Sequence, residues 1–270
     1  MTATVLFTKS QYCNSPSPAA RPLVVLHGLF GNWENWGARI RQYQAHTDVH
    51  AMDLRNHGES PHLASMNYSE MAEDVVMTLE HLDIERCDLL GHSMGGKVAM
   101  RIAATHAEKI ARLILVDIAP KDYPAHHQEI IDALCAIDPL QLDSRREADQ
   151  QLAEAVDDAS VRAFLLKNLV RKPGASSVSP SGFHWQFNLD ALKKNYPELM
   201  LAPEIDNAFE GETLFIKGAE SDYLQDSDTA VVRQAFPNAQ LKILAGAGHW
   251  PHAEKPEMFD HVLKRFLEYT

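Results

Sequence analysis

The sequence holds 270 residues, 45% hydrophobic and 23% charged, with a formal net charge of −12. That size and balance fit a soluble globular protein with one substantial core and room for an insertion. The acidic excess argues against non-specific binding to nucleic acid or to an anionic membrane surface, both of which attract clustered Lys and Arg, and no apolar run approaches the roughly 18–20 residues of a membrane span.

Thr4 to Thr8 reads as a short edge strand, closed by the loop Asn14-Ser15-Pro16-Ser17-Pro18. Leu23-Val24-Val25-Leu26 is apolar at every position, as a parallel strand buried on both faces must be. His27-Gly28-Leu29-Phe30-Gly31 follows at its carboxyl end, where open α/β sheets place ligands, so its backbone N–H groups form a candidate wall of a site. His27 itself reads as a prop for that loop. Val49 to Met52 is another short strand, and the polar turn Asp53 to Ser60 reads as a stabilised loop in which Asp53 and Arg55 hydrogen-bond to backbone. Met71, Val75, Val76 and Leu79 recur at helical spacing, which predicts a helix over Tyr68 to Leu82 capped by Asn67 or Ser69.

The next stretch carries the chemistry. Cys87 to Leu90 has strand character, Gly91-His92-Ser93-Met94-Gly95 is Gly-x-Ser-x-Gly, and Val98, Ala99, Ile102 and Ala103 repeat as on a helix. Strand, sharp turn and helix are the context of a nucleophile elbow, which lifts the serine above the sheet. The turn forces the serine into a strained conformation, so Gly91 and Gly95 relieve crowding and Gly96 lets the helix pack closely. Leu113 to Val116 is a further buried strand ending in Asp117, a carboxylate placed to orient a histidine over the serine or, equally, to cap a loop.

From Pro120 to about Asp206 helical spacing replaces the strand rhythm. Ile130, Ile131, Leu134 and Ile137 form one stripe; Leu152 with Val156, and Phe164, Leu165, Leu169 and Val170, suggest two more. A helical cap of this kind roofs a site and excludes water from it. Arg171 to Gly182 reads as a loop within the cap, and Phe183 to Phe187 brings aromatic rings near where an acyl chain would lie, although each ring alone reads as core. His126 and His127 with Glu129 lack a further ligand at a recognised spacing, so no metal is expected. Strand rhythm returns at Thr213 to Lys217, followed by Ser221-Asp222-Tyr223, and again at Leu241 to Leu244, after which Gly246-Ala247-Gly248 delivers His249. A late histidine on a glycine-flanked loop fits the base of a Ser, Asp, His order, and a closing amphipathic helix over Pro256 to Glu268 ends the chain. Cys13, Cys87 and Cys135 are odd in number and scattered, and no signal segment opens the sequence, so a reducing cytoplasm is the expected setting.

Together these elements resemble the α/β-hydrolase fold over essentially the full length. Within it, His27 to Gly31, Asp53 to Gly58, Gly91 to Lys97, Asp117-Ile118-Ala119-Pro120 and Gly246 to Pro256 are similar to the bacterial YbfF-type acyl esterases. The resemblance implies a mostly parallel sheet flanked by helices, a helical cap inserted after the sixth strand, and the division 1–119 core, 120–206 cap, 207–270 core. It implies Ser93 as nucleophile, His249 as base, Asp117 as acid, and Ser221 as a support for the histidine. The Leu29 and Met94 amides are then the oxyanion donors. It further implies acyl esters or acyl-CoA thioesters as substrates, with no metal or organic cofactor. One departure competes: many hydrolases of this fold carry the acid one strand later, where Asp222 stands, and the Asp-Ile-Ala-Pro context favours Asp117. A lyase, a C–C hydrolase, an acyltransferase and a ligand-binding protein that does not turn over are the alternative functions on the same scaffold.

Overall fold

The computed structural model describes residues 3–17, 20–171 and 182–269. In chain order the elements are β1 (Thr8–Gln11), β2 (Leu23–Leu26), α1 (Gly37–Tyr43), β3 (Val49–Met52), α2 (Tyr68–His81), β4 (Cys87–His92), α3 (Met94–Thr105) and β5 (Ile110–Val116). An insertion follows, made of α4 (Gln128–Ala136), α5 (Arg145–Leu152), α6 (Ala159–Leu166), β6 (Leu169–Arg171), β7 (Phe183–Trp185) and α7 (Leu189–Met200). The chain then returns through β8 (Glu212–Gly218), α8 (Thr229–Ala235), β9 (Ala239–Leu244), α9 (Pro251–Glu254) and α10 (Pro256–Phe266).

Seven strands form one sheet in the order β1-β3-β2-β4-β5-β8-β9, parallel throughout except for β1, which pairs antiparallel with β3. Side-chain alternation along each strand divides the core in two. Val24, Leu89, Leu113, Leu115 and Phe215 face the side packed by α2, α3 and the insertion, whereas Leu23, Val25, Leu90, Ile114, Val116 and Ile216 face Trp36, Ile40 and Tyr43 of the α1 region and Phe259 and Leu263 of α10. Both faces are covered, which is why these strands read as continuous apolar runs.

Three expectations are corrected. The edge strand lies at Thr8–Gln11 rather than Thr4 to Thr8, because the N–H groups of Thr4, Leu6 and Phe7 are taken by the side chains of Asp74, Thr78 and Ser60 instead of by a neighbouring strand. The insertion leaves the sheet after the fifth strand among the described residues, not the sixth; β1 is the single strand that precedes β2, so the sheet begins one strand late. Leu169 and Val170 lie in β6, which pairs antiparallel with β7, and do not continue the stripe of α6, which stops at Leu166. The expected cap loop lies largely in 172–181, outside the described residues. By contrast α2 begins where its cap predicts: the Asn67 side chain accepts the Glu70 N–H at 2.9 Å.

Candidate active site

Strand β4 ends at His92, and the backbone turns at Ser93 with φ 52° and ψ −118° before α3 begins. A non-glycine residue held there costs on the order of 1–3 kcal/mol, which the surrounding packing must over-determine. The glycines explain how it does so. A Cβ on Gly91 would lie 2.3 Å from the Gly95 carbonyl oxygen, and one on Gly95 2.5 Å from that of His27, so strand, turn and helix approach one another more closely than any side chain permits. Gly96 likewise leaves room for Ile118, whose methyl would be 2.5 Å from an added Cβ.

The Ser93 hydroxyl points at His249, with 2.9 Å between Oγ and Nε2. The other ring nitrogen, Nδ1, lies 2.7 Å from Asp117 Oδ2. An ionised carboxylate only accepts, so Nδ1 carries the proton and Nε2 is left to accept from the serine. Asp117 sits at φ 50° just past β5, fully buried, with its second oxygen accepting the Gly218 N–H at 3.0 Å. Ser221 donates its hydroxyl to Asp117 Oδ2, so it reaches the histidine through the carboxylate and not by touching the imidazole. Asp222 is exposed, and both nitrogens of the His249 ring are engaged by other residues.

The loop after β2 is fixed by two neutral histidines. His27 Nε2 accepts the Leu54 N–H at 2.9 Å while Nδ1 donates to the Gly28 carbonyl at 2.8 Å. His57 Nε2 accepts the Phe30 N–H at 3.2 Å, with Phe30 at φ 60°. Burial pushes His27 well below its ordinary range and His57 down to about 4. Both stay uncharged, which their role as acceptors requires. The Leu29 and Met94 N–H groups have no partner among the described residues, Met94 being the first residue of α3, whose N–H has no intrahelical acceptor. They are free to receive an oxygen carrying negative charge. The polar turn after β3 stabilises the same region: Asp53 accepts the Trp33 and Glu59 N–H groups, and Arg55 bonds two carbonyls as read from sequence but also forms buried ion pairs with Asp74 and Glu70.

Above the serine is a pocket of about 230 Å³, reached by Ile130, Val161, Phe164 and Leu165 of the insertion together with Trp250 and Tyr223. Phe183, Trp185 and Phe187 do not line it; Trp185 and Phe187 stack on each other at 5.3 Å. Several hydrogen bonds tie the insertion to the rest of the fold, two of them beside the site. Asn168 donates to the Phe30 carbonyl at 2.8 Å, and Lys97, on α3, donates to the Leu201 carbonyl at 2.6 Å while facing the Tyr68 and Tyr123 rings. Desolvation brings the Lys97 ammonium down to about 7. Among the described residues no group of three or more His, Cys, Asp and Glu gathers as a metal site, and His126 and His127 bond tyrosine hydroxyls. Arg145 donates through Nε and Nη2 to the Leu169 carbonyl at 3.0 and 2.9 Å.

Sequence reasoning missed the roles of His57, His92 and Tyr223, and weighed His127 only as a metal ligand. His92, neutral because burial lowers it to about 3, donates through Nε2 to the His249 carbonyl at 2.8 Å and so braces the loop that carries His249. Its place as the variable residue of Gly-x-Ser was the one available signal.

Residues 21–256 match the alpha/beta hydrolase fold family. Esterase YbfF of Escherichia coli K12 is 35% identical over 91% of this chain and 92% of its own length, and a mouse sn-1-specific diacylglycerol lipase, ABHD11, is 37% identical over 91% of this chain and 80% of its own. A solved marine microorganism esterase superposes with a TM-score of 0.90 at 36% identity, covering 98% of this chain and 100% of that one. With the parallel sheet, the strained serine and these likenesses in hand, the chain belongs to the alpha/beta hydrolase fold family, as a carboxylic ester hydrolase that resembles YbfF.

Proposed function

We propose that the protein hydrolyses short- to medium-chain acyl esters through a Ser93, His249, Asp117 triad and a covalent acyl-enzyme, with acyl-CoA thioesters as a second substrate class. The observation that carries this reading is the unbroken hydrogen-bond chain from Ser93 Oγ through His249 to Asp117, at 2.9 and 2.7 Å, beneath an apolar pocket. His249 Nε2 takes the serine proton as Oγ attacks the acyl carbonyl. Asp117 keeps the imidazole in the tautomer that can accept, and stabilises the imidazolium that forms. The Leu29 and Met94 amides receive the oxyanion, worth about 10²–10³ in kcat for one donor. His249 then returns the proton to the leaving alcohol or thiol, and water repeats the sequence on the acyl-enzyme. In this reading residues 120–206 act as a cap over the core segments 1–119 and 207–270, no metal or cofactor takes part, and the reaction proceeds in the cytoplasm.

The test is hydrolysis of p-nitrophenyl and CoA esters of increasing chain length by the wild type and by Ser93→Ala. Loss of the serine is expected to cost on the order of 10⁶ in kcat while ester binding survives. Appreciable turnover by Ser93→Ala contradicts the covalent mechanism.

A further inference from the structure

The Tyr223 ring lies almost flat on the His249 imidazole, with centroids 3.8 Å apart and planes inclined by 20°. Every polar atom of Tyr223 is also held. Its N–H donates to Ser221 Oγ at 3.3 Å, its carbonyl accepts from the Tyr123 hydroxyl at 2.5 Å, and its own hydroxyl lies 3.2 Å from both His126 Nε2 and His127 Nε2. Both histidines stand at the start of α4, in the insertion.

The grip extends further into the insertion. The Tyr196 hydroxyl accepts the His127 backbone N–H at 2.8 Å and lies 3.1 Å from His127 Nδ1, so both ring nitrogens of His127 face a tyrosine hydroxyl. Burial lowers His127 to about 4, which keeps the ring neutral. At the other end the contacts close on themselves: Tyr223 backbone to Ser221, Ser221 to Asp117, Asp117 to His249, and His249 back onto the Tyr223 ring.

Resting on the proposed triad, we infer that Tyr223 is a positioning residue for His249: its ring fixes the plane of the base, and its hydroxyl, gripped by His126 and His127, sets that ring from the insertion. Two physical effects act together. A flat ring restricts rotation of the imidazole about its bond to Cβ, so Nε2 stays aimed at Ser93 Oγ. As the proton arrives, the imidazolium lies over the electron-rich face of an aromatic ring within the range of a cation–π contact. The second effect grows only as charge develops, so it acts on kcat more than on substrate binding.

The experiment compares Tyr223→Leu, Tyr223→Phe and Ser93→Ala on one p-nitrophenyl ester, with rates divided by sites titrated with a fluorophosphonate for the two Tyr223 variants. Tyr223→Leu is expected to lower kcat by about 10- to 100-fold, the scale of a misaimed catalytic group, with KM changed less than about threefold. Tyr223→Phe, which keeps the ring and loses the hydroxyl grip, should recover most of that loss. A pocket wall with no positioning role gives the opposite split, with KM raised and kcat kept, and that result overturns the inference. So does a Tyr223→Phe enzyme as slow as Tyr223→Leu. If Ser93→Ala remains active the triad itself fails; if it is inactive and Tyr223→Leu is as fast as wild type, only the role of Tyr223 fails.

Discussion

Replacing Asp117 with asparagine exchanges one acceptor oxygen for an amide nitrogen in a site where three donors converge. Oδ2 receives His249 Nδ1 at 2.7 Å and the Ser221 hydroxyl, and Oδ1 receives the Gly218 N–H at 3.0 Å. Wherever the new NH₂ points, it meets a donor. With the amide nitrogen toward Gly218, the remaining oxygen is a weaker, uncharged acceptor; with it toward His249, the imidazole must move its proton to Nε2 and loses the ability to deprotonate Ser93. The cost expected is about 10⁴ in kcat, as when a triad carboxylate is amidated elsewhere. Asp222→Asn is the matched control: that side chain is exposed and His249 Nδ1 is already taken, so its rate should stay within about twofold of wild type. Both variants are assayed on a short p-nitrophenyl ester at pH 8 with active sites titrated. A reversed outcome, with Asp222→Asn the damaged enzyme, refutes the assignment of the acid.

Other outcomes follow from the same contacts. Burial holds His57 and His127 near 4 and His92 near 3, so between pH 6.5 and 4 the unfolded chain binds protons that the folded rings refuse. Stability therefore falls as pH falls through that window, by roughly 1.4 kcal/mol per unit for each ring, opposed by the single carboxyl of Asp53, which desolvation raises to about 6. Urea midpoints at pH 7 and 5 measure this, and a midpoint unchanged or higher at pH 5 contradicts it. Arg55→Met leaves Asp74 and Glu70 without their buried cation and should cost about 3–5 kcal/mol, read as a lower urea midpoint. Gly95→Ala drives a methyl group against the His27 and Leu26 carbonyl oxygens at 2.5 and 2.7 Å; about 1–3 kcal/mol of overpacking and a slower Ser93 are expected, and a variant with wild-type melting and turnover would show that the elbow can relax.

Much of the fold was legible because its signals are local. A strand buried on both faces admits only apolar residues, and Leu23 to Leu26 and Leu113 to Val116 comply. The start of α2 is fixed by one side chain bonding an N–H three residues on. The edge strand was placed early because its backbone has a choice of partners, and those that win, Asp74, Thr78 and Ser60, are 53 to 72 residues distant. The break between α6 and β6 was hidden for a similar reason: Leu169 and Val170 continue an apolar stripe, and only pairing with Phe183–Trp185 makes them a strand.

The same division runs through the site. By itself the sequence determined that a serine would be held in a strained turn between a strand and a helix, since Gly91 and Gly95 permit an approach no other residue allows. It also supplied a late histidine and two aspartates. Which aspartate the histidine meets was decided by tertiary structure: β5, β8 and β9 lie side by side, bringing Asp117 at the end of β5 across 132 residues of sequence to His249 in the loop after β9, while Asp222, after β8, is exposed. The same holds for the neutral histidines under the loop after β2 and for the Tyr223 ring laid on the His249 imidazole. Their roles depend on burial and on ring contacts between distant segments, and neither quantity exists until the chain has folded.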